Sequence, residues 1–207
     1  MLQFYNFPNY GYIMDDVPQD ILSKIKHEIE SINSETPKSN EHLVGNIKKE
    51  FKLSESIQCL EPYVLNLMGQ YDNAFHYLKS VNCLDRDLPF ELDDLWVNLQ
   101  SKHEFNPNHN HVGVMSFVIW IDIPFLMNEE LKQSPGIYST HNCSGHFEFS
   151  YTNVLGDIWQ IGIPADKTYE GKILMFPNKM IHCVYPFFSS DDNRISVAGN
   201  IRLKSRT

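Results

Sequence analysis

Two histidines stand two residues apart in the segment NPNHNHVG, at His109 and His111. On a helix their side chains would diverge by about 160°, whereas on an extended chain they share a face. The run VMSFVIWIDI that follows favours the extended form. Two imidazoles on one face at that spacing can converge on one metal ion. Imidazole serves iron, zinc, copper and nickel alike, so ligand type leaves the metal open. Taken alone, the pair also reads as a polar turn leading into a strand.

A second block of chemistry lies downstream in EGKILMFPNKMIHCVYPFFSSDDNRISVAGNIRL. His182 opens a strand there, and Arg194 and Ser196 follow 12 and 14 residues later. Arg194 and Ser196 share one face of a strand, with Ile195 and Val197 on the other. A forked guanidinium beside a hydroxyl suits a carboxylate. Singly, Arg194 also reads as a surface arginine on an edge strand and Ser196 as a barrel-lining serine. The order His, then Arg-x-Ser, is what joins them to the histidine pair. A rival triad is His146, Glu148 and His182, because HFEF holds a same-face His-x-Glu pair. Its position inside a strand, away from a loop mouth, instead puts His146 and Glu148 on a polar strand face. His27, His103 and His141 read as surface or loop residues. The sequence has no GxSxG, GxGxxG or GxxxxGKS pattern and no cysteine in a recognisable reactive setting, so nucleophilic catalysis and phosphate cradling have no support.

The elements that must position these residues are strands. LWVNLQ, VMSFVIWIDI, GHFEFSY, IWQIGI, KILMF, HCVYPF and RISVAGNIRL are short apolar runs between turn residues, without amphipathic helices among them. Such a succession predicts a sandwich or barrel. Before the change of character near Leu88 the chain reads as helical. One helix is expected over Val17 to Ile32, with Asp16 as cap and Pro18 in the first turn. A second is expected from about Ser54 to Ser80, with the polar stretch NSETPKSNEH between them as a loop. The expected class is therefore α+β, mainly β, in one domain: residues 1–90 mostly helical, residues 91–207 the β core. The segment from Met127 to Cys143 reads as an irregular loop, part of a lid.

Composition excludes some classes. A formal net charge of -9 and no Lys/Arg cluster argue against nucleic acid as a partner of the surface as a whole. The four cysteines, Cys59, Cys83, Cys143 and Cys183, lack CxxC spacing and read as reduced thiols. The first twenty residues have no basic start followed by an apolar core, and the longest apolar run is too short to span a bilayer. A cytoplasmic location without membrane attachment is expected.

At this point the sequence resembles the iron(II)- and 2-oxoglutarate-dependent oxygenases. It looks like a compact subgroup found in bacteria and abundant in marine phages, distantly similar to prolyl 4-hydroxylases. The matching stretches are LWVNLQ, NPNHNHVGVMSFVIWIDIP, SGHFEF, GKILMFPNKMIHCVYP and NRISVAGNI, with HLVGNIKKEFKL upstream, so the resemblance covers the chain from about His42. It implies a double-stranded β-helix (jelly roll) with the N-terminal helices packed on it. It implies Fe(II), 2-oxoglutarate and O2 as the reacting partners, a small-molecule or peptide substrate, and a host-cytoplasm location if the chain is phage-encoded. A homodimer is an open expectation.

Residue by residue, the resemblance implies that His109 and His182 are metal ligands. His111 falls where most of the superfamily has Asp or Glu, so the third ligand would be a histidine. Arg194 matches the arginine that pairs with the distal carboxylate of 2-oxoglutarate, and Ser196 its hydroxyl companion. Asn98 and Gln100 read either as cosubstrate or substrate contacts or as barrel-lining amides. Phe117, Ile119 and Phe176 read as a dry shell or as plain core. Three histidines also serve cupin-type dioxygenases and zinc enzymes that do not use 2-oxoglutarate. Those readings stay open, as does a non-catalytic jelly-roll module.

Overall fold

The computed structural model describes residues 2–3, 9–81 and 89–204. Among the described residues ten strands form two antiparallel sheets. In chain order they are β1 (Ile13–Asp16), β2 (Glu50–Lys52), β3 (Phe90–Gln100), β4 (Asn106–His109), β5 (Met115–Asp122), β6 (Phe147–Thr152), β7 (Ile158–Ile163), β8 (Lys172–Pro177), β9 (Ile181–Val184) and β10 (Arg194–Leu203). Helices α1 (Gln19–Glu30), α2 (Ile57–Phe75) and α3 (Met127–Gln133) complete it. The larger sheet runs β1-β8-β5-β10-β3-β2 and the smaller β4-β9-β6-β7. This is the expected mainly-β jelly roll with helices packed on it.

Strand β5 explains the layering. Its sequence MSFVIWID is buried at every position but the last. Phe117, Ile119 and Ile121 join the α1 and α2 residues Ile25, Leu60, Val64 and Leu67 in one core. Val118 and Trp120 meet Phe147 and Phe149 of the smaller sheet in a second core. A strand covered on both faces shows no polar alternation, which is why it reads as a continuous apolar run. Sandwiching between two layers also excludes water from the side on which the sheets face each other.

Several elements differ from expectation. Helix α1 begins at Gln19 after Pro18, and Asp16 is not its cap: it ends β1 and pairs with Lys172, 2.7 Å away. The N-terminal part also supplies strands β1 and β2 to the larger sheet, so it is not merely helical. Helix α2 stops at Phe75, with His76 left-handed at φ 52°, well before Ser80. Its start is capped from outside. The Glu28 carboxylate of α1 accepts from the backbone N–H groups of Ser54, Glu55 and Ser56 at 2.6–2.8 Å. These donors are otherwise orphaned at a helix start. The Met127–Cys143 segment is not irregular: it forms α3 and a 3-10 turn at Pro135–Tyr138. Cys59, Cys143 and Cys183 are free thiols; Cys83 and the Leu88 boundary lie outside the described residues. Among the described residues no helix is long and apolar enough to cross a membrane.

Candidate functional site

The smaller sheet brings His109 and His182 together. Strands β4 and β9 are antiparallel, and their register sets the two histidines directly opposite one another. His111 is not part of β4; it follows in the loop to β5. Asn178, in the turn between β8 and β9, holds that loop from both sides. Its side chain donates to the His111 carbonyl (2.8 Å) and its carbonyl accepts from the His111 N–H (2.9 Å). The three ligand nitrogens lie within 4.8 Å of one another, and His111 Nε2 is 3.2 Å from His182 Nε2.

Backbone carbonyls orient the rings. Nδ1 of His109 sits 2.7 Å from the Pro107 carbonyl and Nδ1 of His182 3.0 Å from that of Met180. A carbonyl only accepts, so Nδ1 carries the proton and Nε2 keeps its lone pair for a metal. Burial lowers the pKa of all three rings, and the neighbouring imidazoles add to this for His111 and His182. His111 falls to about 4 and His182 well below its ordinary value. The rings are thus neutral at physiological pH, the form that ligates. Phe147 stacks on His182 with centroids 5.3 Å apart, and Phe176 meets it edge-on at 4.8 Å. Phe117 lines the adjoining cleft, whereas Ile119 belongs to the helix-side core. Three neutral, pre-oriented imidazoles with no carboxylate among them fit a divalent iron ion in donor type and spacing.

A cleft opens beside the triad, and Asn98, Gln100 and Ser196 line it. Asn98 Nδ2 donates to Ser196 Oγ at 3.4 Å, and Asn98 Oδ1 is buried without a partner. Arg194 is on the same strand but is not among the residues lining that cleft. Its guanidinium is buried, donating to Gln100 Oε1 from both Nε (3.0 Å) and Nη2 (2.7 Å). It also donates to the carbonyls of Gly145 (2.6 Å) and Tyr185 (3.0 Å), and lies against the rings of Phe125 and Phe187. Arg194 and Ser196 stand opposite Gln100 and Asn98 on neighbouring strands; Ser196, Asn98 and Gln100 line the cleft, while the Arg194 guanidinium is bound to Gln100. Burial lowers the Arg194 pKa to about 10, partly offset by Glu130, so the charge persists at neutral pH.

The rival triad does not assemble. Phe147 and Phe149 point to His182, so Glu148 between them faces away, where Gln160 Nε2 (2.9 Å) and the Tyr185 hydroxyl (3.1 Å) donate to it. Glu148 groups there with His141 and Cys143. His146 instead contacts the Ser144 carbonyl through Nδ1. Two residues at the site escape sequence reasoning. Asn178 is a turn residue whose partner lies 67 positions away. Glu50 is buried in a second, adjoining cleft with His109 and His111.

No curated protein sequence matches the chain. Its fold is that of several solved structures. A prolyl-4-hydroxylase from Pseudomonas putida aligns with TM-score 0.55 at 14% identity, over 95% of this chain and 94% of that one. The non-heme alpha-ketoglutarate-dependent epimerase SnoN of nogalamycin biosynthesis aligns with TM-score 0.54 at 12% identity, over 93% and 76%. OsALKBH1 aligns with TM-score 0.52 at 12% identity, over 94% and 98%. The family model for 2OG-Fe(II) oxygenases matches residues 94–200, which hold His109, His111, His182, Arg194 and Ser196. That match spans just over half of the chain, which therefore belongs to the 2OG-Fe(II) oxygenase family, enzymes that work with Fe(II), 2-oxoglutarate and O2.

Proposed function

We propose that the chain hydroxylates a small-molecule or peptide substrate at an iron held by His109, His111 and His182. The observation that carries this reading is the convergence of three neutral imidazoles, two of them fixed by carbonyls so that Nε2 faces inward. When bound, iron, 2-oxoglutarate and O2 supply the oxidising chemistry, with 2-oxoglutarate leaving as succinate and CO2. The protein's own part is positioning and exclusion of water.

On this reading 2-oxoglutarate occupies the cleft lined by Asn98, Gln100 and Ser196. The Asn98 amide N–H and the Ser196 hydroxyl are the donors for its distal carboxylate, while Gln100 Nε2 is taken up by the Glu104 carbonyl at 2.6 Å. Arg194 lies one residue behind, and its positive charge is placed to favour an anion through the Gln100 amide that it holds. Phe147 and Phe176 keep the His182 side dry.

Anaerobic titration of the Fe(II)-loaded protein with 2-oxoglutarate, followed by visible absorption, tests the reading. A weak metal-to-ligand charge-transfer band is expected, absent in His182→Ala and weaker in Arg194→Ala. Bound iron with no band in the wild-type protein would overturn it in favour of a three-histidine oxygenase that does not use 2-oxoglutarate.

A further inference from the structure

His111 and Trp96 are common to three adjoining clefts. One is the cleft of Asn98, Gln100 and Ser196. Adjoining it, and sharing Asn106, His109 and His111 with it, lies the cleft of Glu50 and Gly45, and beyond that the third. The first holds the donors Asn98 Nδ2 and Ser196 Oγ, with Asn98 Oδ1 unpartnered. In the second, Glu50 Oε1 and Asn106 Oδ1 are both buried with no hydrogen-bond partner among the described residues.

Glu50 is held so that one oxygen stays open. Its Oε2 accepts from Asn40 Nδ2 at 2.9 Å, and Asn40 in turn is tied to the Ile47 carbonyl at 2.7 Å. Oε1 is left facing the cleft, where Gly45 leaves room for a ligand atom. A methyl group at Gly45 would collide with Asn106 Oδ1 and stand 3.0 Å from Glu50 Oε1. A carboxylate this buried is costly without a counter-charge. Among the described residues no cation pairs with it, and the neighbouring Glu104 is also negative. The outer cleft is lined by Lys52, Asp93 and Asp94, of which Asp93 is paired with Arg202 at 2.9 Å. Glu50 is the buried carboxylate beside the triad with an open oxygen.

We infer that Glu50, with Asn106, receives a positively charged nitrogen of the substrate, a primary ammonium or a guanidinium, beside the histidine triad. Such a group supplies the missing counter-charge and donates to both open oxygens at once. The inference rests on the reading of the three histidines as the metal site, because that is what makes this cleft the substrate's.

The test is calorimetric titration with n-butylammonium, and with butyramide and butyrate as neutral and anionic controls. It is run on the metal-free protein and on the Fe(II)- and 2-oxoglutarate-loaded protein under anaerobic conditions. Butylammonium should bind the wild-type protein in preference to both controls. In Glu50→Gln its affinity should fall about ten-fold or more, the loss expected when a charge-assisted hydrogen bond becomes a neutral one. Gly45→Ala, which fills the space between the two oxygens, should weaken it as well, and the 2-oxoglutarate band should persist in both folded variants. Equal butylammonium affinity in wild type and both variants, or no preference for butylammonium over butyrate, would overturn the inference. A missing band in the wild type would count against the oxygenase site alone, since binding to the metal-free protein still decides the role of Glu50.

Discussion

Glu28, at the junction of the two N-terminal helices, and Glu50, at the edge of the cleft, are buried to a similar degree, at 8% and 1% exposure. Their acidities move in opposite directions. Burial raises the Glu28 pKa, but hydrogen bonds from Ser56, Glu55 and Ser54 outweigh it and the net value falls below the ordinary 4.5. Burial and the neighbouring Glu104 raise Glu50 to about 7. The same side chain at the same depth is a finished structural contact in one region and an unfinished one in the other. The difference lies in the partners that the fold provides. Three of the five buried side-chain atoms left open among the described residues, on Glu50, Asn98 and Asn106, line the clefts at the histidine triad; the other two, Ser56 Oγ and Ser189 Oγ, do not.

Arg194 tests this division hardest, because it sits near the cleft yet is satisfied like a scaffold residue. Arg194→Met should cost about 3–5 kcal/mol of stability in urea unfolding, since Gln100 Oε1 and the Gly145 and Tyr185 carbonyls lose their donor and Glu130 its counter-charge. A variant as stable as wild type that no longer takes up 2-oxoglutarate would move Arg194 to the open class. Asn178 is the converse case, a satisfied residue serving the open group. Asn178→Ala should leave the fold intact and weaken iron binding by about 10–100-fold, measured by competition with a chelator, because His111 loses one of its two fixed contacts.

The same division governs what was legible in the sequence. The histidines could be found from the His-x-His spacing of an extended chain and from the family resemblance that picks out His182, although His111 lies in the loop beyond β4. The direct pairing of His109 with His182 is a matter of register between β4 and β9, and β4 is too short to announce itself. Alternation puts Arg194 and Ser196 on one face, and Ser196 lines the cleft together with Asn98, which the family resemblance singles out. Alternation does not say where the end of a long side chain goes, and Arg194 is taken up by Gln100 and two carbonyls from other parts of the chain. Glu50 reads as an ordinary charged residue in EFK, because only the pairing of β2 with β3 buries it opposite Asn98. Strands β1 and β2, four and three residues long, carry too little pattern to be told from loop.

The pH dependence of stability separates the two glutamates. The folded-state pKa of Glu50 is raised, so its contribution is fully present below about 4.5 and is lost as pH rises through about 7. Glu50→Gln removes that loss. The variant should melt higher than wild type at pH 8, by an amount corresponding to about 1–3 kcal/mol, and the advantage should vanish near pH 4. A variant less stable than wild type at pH 8 would mean that Glu50 already has a partner in solution, and the contrast with Glu28 would collapse.

Glu28 should give the smallest effect and the opposite slope. Its folded-state pKa is depressed, so the stability it contributes is present above the ordinary carboxylate pKa of 4.5 and is lost as pH falls through the lowered value. In Glu28→Gln the amide oxygen can still accept from Ser54 and Glu55, but the amide NH2 then meets the Ser56 N–H, donor against donor, at the start of α2. One orphaned helix-start donor costs about 1–2 kcal/mol. Thermal melts of wild type and variant should therefore differ by that amount at pH 7 and converge below pH 4, while n-butylammonium and 2-oxoglutarate bind both equally. Convergence on raising the pH instead would show that the carboxylate is strained at the helix junction, and the separation of scaffold from cleft would have to be redrawn there.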